Sequence, residues 1–370
     1  MNGAGDRLQW HYEIPGTHHR MLVLDTRTQR GYPQNEPPTT PPQLISPSAF
    51  QTQLEPLLSG ASAQAQPTAD KNPACLTFVV APTNVFTLKI LDRLQFLALK
   101  SNRVFDADVG DSWNLETSTR AKLLSYLFNA PEAVIILSGD IHFGASLEVD
   151  YQVNQELNFQ HQSFTFSPHQ NRSPDIQLKG RLVQLTASAI CNSDSMTGLL
   201  HTKLKSLFPE PSRSWVGWNQ PALQLEVTSR WLAGLQRQWL KLQQRFSPAK
   251  RLSLAEQMQI SDRPPHWRYQ TSWLRRQAAR RSPWLSGIPP WLALSQGRSS
   301  PHSKLTQWLW YNRWVQEGRE VVGFNNIGLV HFKYHENGRD LLILHDLHWY
   351  SPWGQPRIVY SRFESKITKL

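Results

Sequence analysis

The chain is predicted to be an α/β protein built on a mixed sheet, on three observations. CLTFVVA (75–81) and AVIIL (133–137) are apolar runs of strand length, helical patterning lies between them, and the chain closes in alternating β segments. Before this core, WHYEI (10–14) and RMLVLD (20–25) read as neighbouring strands joined by a turn at Pro15 and Gly16. Residues 33–72 are rich in Pro, Gln, Thr, Ser and Ala and read as a long loop with one short helix at Ser48 to Leu58. Helices are expected from Val85 to Leu99 and from Thr117 to Phe128. After them, ASLEVDYQV (145–153) and RLVQLTAS (181–188) alternate like strands around a polar connection at 154–180. EVVGF (320–324), GLVHFKY (328–334), LLILHD (341–346) and RIVYSRF (357–363) complete the β signals.

The net charge of +11 is unevenly spread. Residues 213–318 hold 16 Lys/Arg against 4 Asp/Glu and 11 of the 15 tryptophans, so the remainder of the chain is near neutral. The expected organisation is strands over 1–32, a flexible loop over 33–72, an α/β core over 73–200, a basic, Trp-rich and largely helical insertion over 201–318, and a β segment over 319–370. In RWLAGLQRQWLKLQQRF (230–246), Trp231, Leu235, Trp239, Leu242 and Phe246 recur at helical steps, with Arg237, Lys241 and Arg245 on the polar flank. Such a helix suits an anionic membrane surface or a partner, or packs its tryptophans on the parent domain. WLRRQAARRSPWL (273–285) poses the same choice. No nucleic-acid-binding fold surrounds the patch, which argues against that partner. Cys75 and Cys191 have no zinc-finger spacing and read as buried small hydrophobes. Without a signal peptide or a run of about 18 apolar residues, the chain is expected to be cytoplasmic.

The chemistry concentrates at GDIH (139–142), which follows the apolar strand. Extended alternation predicts that Asp140 and His142 face the same way and can share an ion, since carboxylate oxygen with imidazole nitrogen suits borderline divalent or trivalent metals. The alternative is a polar turn held by hydrogen bonds. Asp111 and Trp113 are candidates to touch substrate or support the ligands; Asp111 equally suits a helix N-cap, and Trp113 the core. Asp25 and Arg27 read as an ion pair at a strand end. His18, His19, His161, His169 and His201 read as solvent or loop histidines. Asp346 and His348 form a second D-x-H, in which His345 and His348 are expected to hydrogen-bond within the final sheet.

VLDTRTQR (23–30), APTNVF (81–86), DVGDSWN (108–114), ILSGDIHFGAS (136–146), LTASAICN (185–192) and WLWYNRWVQEGREVVGFNNIGLVHF (308–332) occur in this order. Together they resemble the second half of the alkaline phosphatase D (PhoD-like) family of metallophosphoesterases. The resemblance implies an α/β/β/α sandwich whose strand-end loops hold a polynuclear metal site, with iron and calcium as the cofactor set and a phosphoester as substrate. Asp140 and His142 match the family's terminal ligand motif. The motifs that carry most of the family's metal ligands do not precede WHYEI, so the resemblance implies an incomplete sandwich. A gene split in two, an internal start, a frameshifted remnant, or a separate chain carrying the N-terminal half that completes the site would each account for this. The alternative is a non-catalytic membrane-surface or protein-interaction module derived from that scaffold.

Overall fold

The computed structural model describes residues 8–16, 19–32, 42–59, 76–92, 112–114, 117–154, 178–190, 195–207, 210, 215–219, 223–227, 266–282, 315–334, 340–351 and 357–368. A nine-stranded sheet and a four-stranded sheet dominate them. The large sheet comprises β1 (Tyr12–Pro15), β2 (His19–Val23), β3 (Leu76–Ala81), β4 (Ala133–Ser138), β5 (Ala145–Val153), β6 (Leu178–Thr186), β7 (Trp215–Asn219), β8 (Leu223–Val227) and β9 (Trp267–Trp273). Its order is β1-β2-β3-β4-β6-β5-β9-β7-β8. β2, β3, β4 and β6 are mutually parallel, and the flanking strands pair antiparallel. The small sheet, β10-β13-β12-β11, is antiparallel and formed by β10 (Arg280–Arg281), β11 (Asn326–Tyr334), β12 (Asp340–Ser351) and β13 (Arg357–Thr368).

Alternation along the parallel strands sorts their side chains onto two apolar faces. Val79, Ala81, Val134 and Ile136 face α1 (Pro47–Leu54), α2 (Pro56–Ser59) and α3 (Thr117–Phe128) through Phe50, Leu54, Leu57, Leu124 and Leu127. Leu76, Phe78, Ile135, Val183 and Leu185 face the small sheet through Leu341, Ile343 and Ile367. The result is helices, large sheet and small sheet in layers. α1 starts where Ser46 accepts from the Ala49 N–H just before Pro47 at the first helical position, an N-cap followed by the residue best suited to the first turn. Among the described residues, no helix is long and apolar enough to cross a membrane.

The large sheet is pinned at the amino ends of its parallel strands by Arg20, 2% exposed. Its guanidinium donates to Thr77 Oγ1 (3.0 Å), the Leu57 carbonyl (2.9 Å), Glu132 Oε2 (2.9 Å) and the Pro56 carbonyl, and Thr77 in turn donates to Glu132 (2.6 Å).

Several expectations change here. Described residues of the 201–318 segment are mainly strands, not helices: β9 pairs with β5, and β7 with β9. Trp218 and Trp267, each 1% exposed, belong to the main core. They stack there beside Phe128, Tyr151 and Tyr269, and Trp218 donates to Ser125 Oγ (3.1 Å). Composition marked a separate segment, but edge-to-edge backbone pairing joins it to the parent sheet. The stretch from Trp273 is not a helix either: 274–279 is irregular, and Arg276 is buried. Val85 and Phe86 are buried in a loop rather than a helix, because Gln184 clamps that loop through Phe86 N–H (3.0 Å) and C=O (2.8 Å). EVVGF contributes one bridge, Val322 to Gly144. His201 is not a solvent histidine but is fully buried.

Candidate functional site

The four parallel strands end at one edge, and the loops that follow β2, β3, β4 and β6 meet there. In open α/β sheets this carboxyl edge is where ligands bind. The loops are tied to one another. Leu24 N–H reaches the Val80 carbonyl (3.0 Å), Gly139 N–H the Pro82 carbonyl (3.4 Å) and Ala187 N–H the Ser138 carbonyl (3.1 Å). Asn84 Nδ2 donates to Thr186 Oγ1 (3.0 Å), which lies 3.0 Å from Ser138 Oγ.

The strand β4 ends at Ser138, so Asp140 and His142 are not on an extended segment. Both have positive φ, 66° and 57°. This corrects the alternation argument, because two left-handed residues flanking Ile141 fold the tip into a tight loop. Asp and His tolerate that region better than most residues, yet each still costs about 1–2 kcal/mol. The cost is offset by what lies between. Ile141 and Phe143 anchor the loop in an apolar cluster with Leu88, Ala145 and Val321, leaving Asp140 exposed and His142 half-buried. Gly144 follows because a Cβ there would meet Leu347 Cδ1 at 2.5 Å and Asn326 Oδ1 at 2.9 Å. Backbone strain of this kind clusters at functional sites, and here it sits at a loop tip on the carboxyl edge of the sheet.

Asp25 and Arg27 do not pair with each other. The Asp25 carboxylate accepts from the backbone N–H groups of Trp10 (3.1 Å), Arg27 (3.0 Å) and Thr28 (2.8 Å) and from the Thr28 hydroxyl. Burial acts to raise its pKa, but these hydrogen bonds to the charged form outweigh it and hold the pKa below the usual value. Asp25 therefore closes the turn after β2. Arg27 instead reaches across to Asp140, Nη2 to Oδ2 3.5 Å, with both side chains more than half exposed. An ion pair this exposed contributes little stability and is readily exchanged for a ligand.

The loops after β2 and β3 also carry three buried oxygens with no hydrogen-bond partner: Thr26 Oγ1 in the first, Thr83 Oγ1 and Asn84 Oδ1 in the second. Unsatisfied buried polar atoms cost about 1–3 kcal/mol each, a cost that an ordered water can relieve. Sequence reasoning did not single these residues out, although LDTR and APTNVF contain them. Ser188 N–H is held by Asn326 Oδ1 (3.0 Å), which fixes the loop after β6 against the small sheet.

Trp113 is 2% exposed and lies in the main core, so it is a packing residue. Asp111 falls outside the described residues, as do Arg237, Lys241 and Arg245. Asp346 of the second D-x-H is bound bidentately by Arg362, at 2.7 Å for each contact. Instead of hydrogen-bonding within the final sheet as the sequence predicts, His345 meets Ser146 Oγ (2.8 Å) of the large sheet and His348 meets Ser282 Oγ (3.3 Å) just beyond β10, so they tie the final sheet to its surroundings.

Asp140 and His142 fit a metal in donor type, a carboxylate oxygen and an imidazole nitrogen on one loop. Among the described residues they are not joined by a third His, Cys, Asp or Glu in a ligand group. No protein-family model, curated protein or solved structure matches this chain.

Proposed function

We propose that the carboxyl edge of the large sheet is one wall of a metal-dependent phosphoesterase site, with Asp140 and His142 as metal ligands. One observation carries this reading: the two residues sit in strained left-handed conformations on the loop after a central parallel strand, at the sheet edge where ligands of α/β folds bind. The ordered motifs of the PhoD-like family support it. On this reading the stacked sheets and their helices belong to a metallophosphoesterase α/β/β/α sandwich. The remaining ligands come from residues outside the described set or from a separate polypeptide carrying the first half. Iron and calcium are the ions the resemblance favours. A bound ion of this class polarises a phosphoryl oxygen and activates a water for attack at phosphorus.

The chain's own groups have assignable tasks. Asp140 supplies a carboxylate that Arg27 neutralises before loading, and the Arg27 guanidinium is then available to a phosphate oxygen. Ile141 and Phe143 hold the ligand loop rigid from beneath. Thr26, Thr83 and Asn84 present oxygens that water or substrate hydroxyls can satisfy.

The test is hydrolysis of a chromogenic phosphomonoester and phosphodiester with added iron, manganese or calcium, by the chain alone and mixed with a separately expressed polypeptide carrying the family's first-half ligand motifs. Asp140→Asn and His142→Ala should each lower the rate about 100-fold or more. Hydrolysis retained in both variants, or absent from both preparations, would refute the assignment.

A further inference from the structure

We infer that residues 10–14 are a self-complementary sheet edge through which two copies of this chain pair about a two-fold axis. Among the described residues β1 is the outermost strand of the large sheet, and all four of its residues are exposed. Tyr12 and Ile14 of the strand are 52% and 48% exposed, and Leu8 and Trp10 in the segment leading into it are 62% and 60% exposed, so large apolar groups recur at every second residue beside an edge that no described strand covers. Open edges with such stripes template further strand pairing unless something covers or blunts them.

The face they occupy continues an interface already formed within the molecule. Tyr12 is opposite Val23 and Ile14 opposite Met21, and residues directly opposite share a face. Met21 packs with Phe78, Val330 and Phe332 in the layer between the two sheets, where Phe78 and Phe332 meet edge-to-face at 5.7 Å. β11, which supplies Val330 and Phe332, is itself the last strand of the small sheet. Both sheets therefore end on the same flank, with apolar surface running out beyond the cover that β11 provides.

The chemistry of the edge selects the occupant. Read antiparallel against itself with Tyr12 on the axis, WHYEI places Trp10 opposite Ile14, His11 opposite Glu13 and Tyr12 opposite Tyr12. Aromatic with β-branched, base with acid and aromatic with aromatic are the cross-strand pairs that stabilise sheets. The backbone agrees. Trp10 N–H is turned inward to Asp25, so strand alternation turns the N–H and C=O groups of His11 and Glu13 to the open edge. Each His11–Glu13 pair then exchanges two backbone hydrogen bonds. Pro15, with no N–H to give, ends the pairing after about five residues. Glu13 also lies 3.9 Å from Arg20, and Arg20 keeps its Glu132 partner when Glu13 turns to the second copy. A patch that matches itself under a two-fold rotation gives a closed dimer rather than an open chain of copies.

The test is sedimentation of the full chain over about 1–200 µM, a range that captures a dimer of micromolar affinity. Wild type should form a dimer and nothing larger. Glu13→His, which sets histidine opposite histidine, should weaken it about tenfold, and the exchanged pair His11→Glu with Glu13→His should restore it. Because non-hydrogen-bonded pairs approach to about 4.5 Å between Cα atoms, Tyr12→Cys should oxidise to a covalent dimer where His11→Cys and wild type, carrying the same native cysteines, do not. Tyr12 and Glu13 lie in the exposed strand and His11, half-buried, just before it, so unchanged circular dichroism and an unchanged urea midpoint are required of each variant to confirm the fold. A monomer throughout the range, a Glu13→His protein that dimerises like wild type, or open-ended higher species would overturn the inference.

Discussion

Arg20→Met is expected to destabilise the protein by about 3–5 kcal/mol in urea unfolding, because it leaves a buried carboxylate and two backbone carbonyls without their cation. Arg20 joins β2 to β3 through Thr77, to the α1–α2 segment through the Pro56 and Leu57 carbonyls, and to the start of β4 through Glu132. Glu132 has 9% of its side chain exposed and also receives the Thr77 hydroxyl at 2.6 Å. Methionine replaces the apolar stem of the arginine but none of its donors, so the loss is electrostatic rather than a cavity. Adding Glu132→Gln to Arg20→Met should recover part of the deficit, since a buried carboxylate deprived of the arginine is costlier than a buried amide. A loss below about 1 kcal/mol would show that the network does not hold these strands.

Acid is the second large effect. His201 and His345 are 0% and 2% exposed, and burial pushes both pKa values down to about 4 from an ordinary 6.5. His201 accepts the Gly323 N–H at Nδ1 (3.1 Å), which leaves its proton on Nε2, 3.5 Å from Glu317. Arg276 is 2.5 Å from Glu317 and 3.3 Å from the same imidazole nitrogen, adding to the resistance to a second proton. His345 meets Ser146 across the two sheets, and Gly328 is the neighbour that leaves room for its ring. Both histidines are neutral in the fold, while the unfolded chain takes up protons below pH 6.5. The stability they contribute is therefore complete above pH 6.5 and is lost as pH falls toward 4. Each should account for about 2 kcal/mol between pH 7 and pH 5, or about 4 kcal/mol together, read as a shift in urea midpoint. His201→Gln and His345→Gln should each remove about half of the pH dependence. A flat profile between pH 7 and pH 5 would mean that the imidazoles are solvated.

The strands were legible in the sequence where one physical signal dominated. LTFVVA and AVIILS are buried on both faces, so their apolar runs locate the parallel core, and the alternation of ASLEVDYQV matches β5. TSTRAKLLSYLF is α3 at the residues its periodicity marks. In the described part of 201–318 the strands were missed because tryptophan density and positive charge describe side chains, whereas the strand pairing of β9 with β5 is a long-range backbone event with no local signature. His201 was misjudged for the same reason, since its burial depends on Arg276, Glu317, Phe324 and Trp349, all far away in sequence. At the site, GDIH was identified but its geometry was not. Periodicity assumed extended backbone beyond Ser138, and only the packing of Ile141 and Phe143 sets the left-handed turns. The Arg27–Asp140 contact joins two loops more than a hundred residues apart and was read instead as a local pair with Asp25.

Whether the GDIH loop is a ligand loop is tested most directly by titrating Mn2+ into the full chain with histidine-labelled rings observed by NMR, the His142 signal assigned by its loss in His142→Gln. The His142 resonance should broaden before those of the other histidines, and Asp140→Asn should raise the Mn2+ concentration required about tenfold, because the carboxylate and the imidazole bind as a pair. A His142 signal that stays sharp while other histidines broaden, or that broadens identically in Asp140→Asn, would contradict the account.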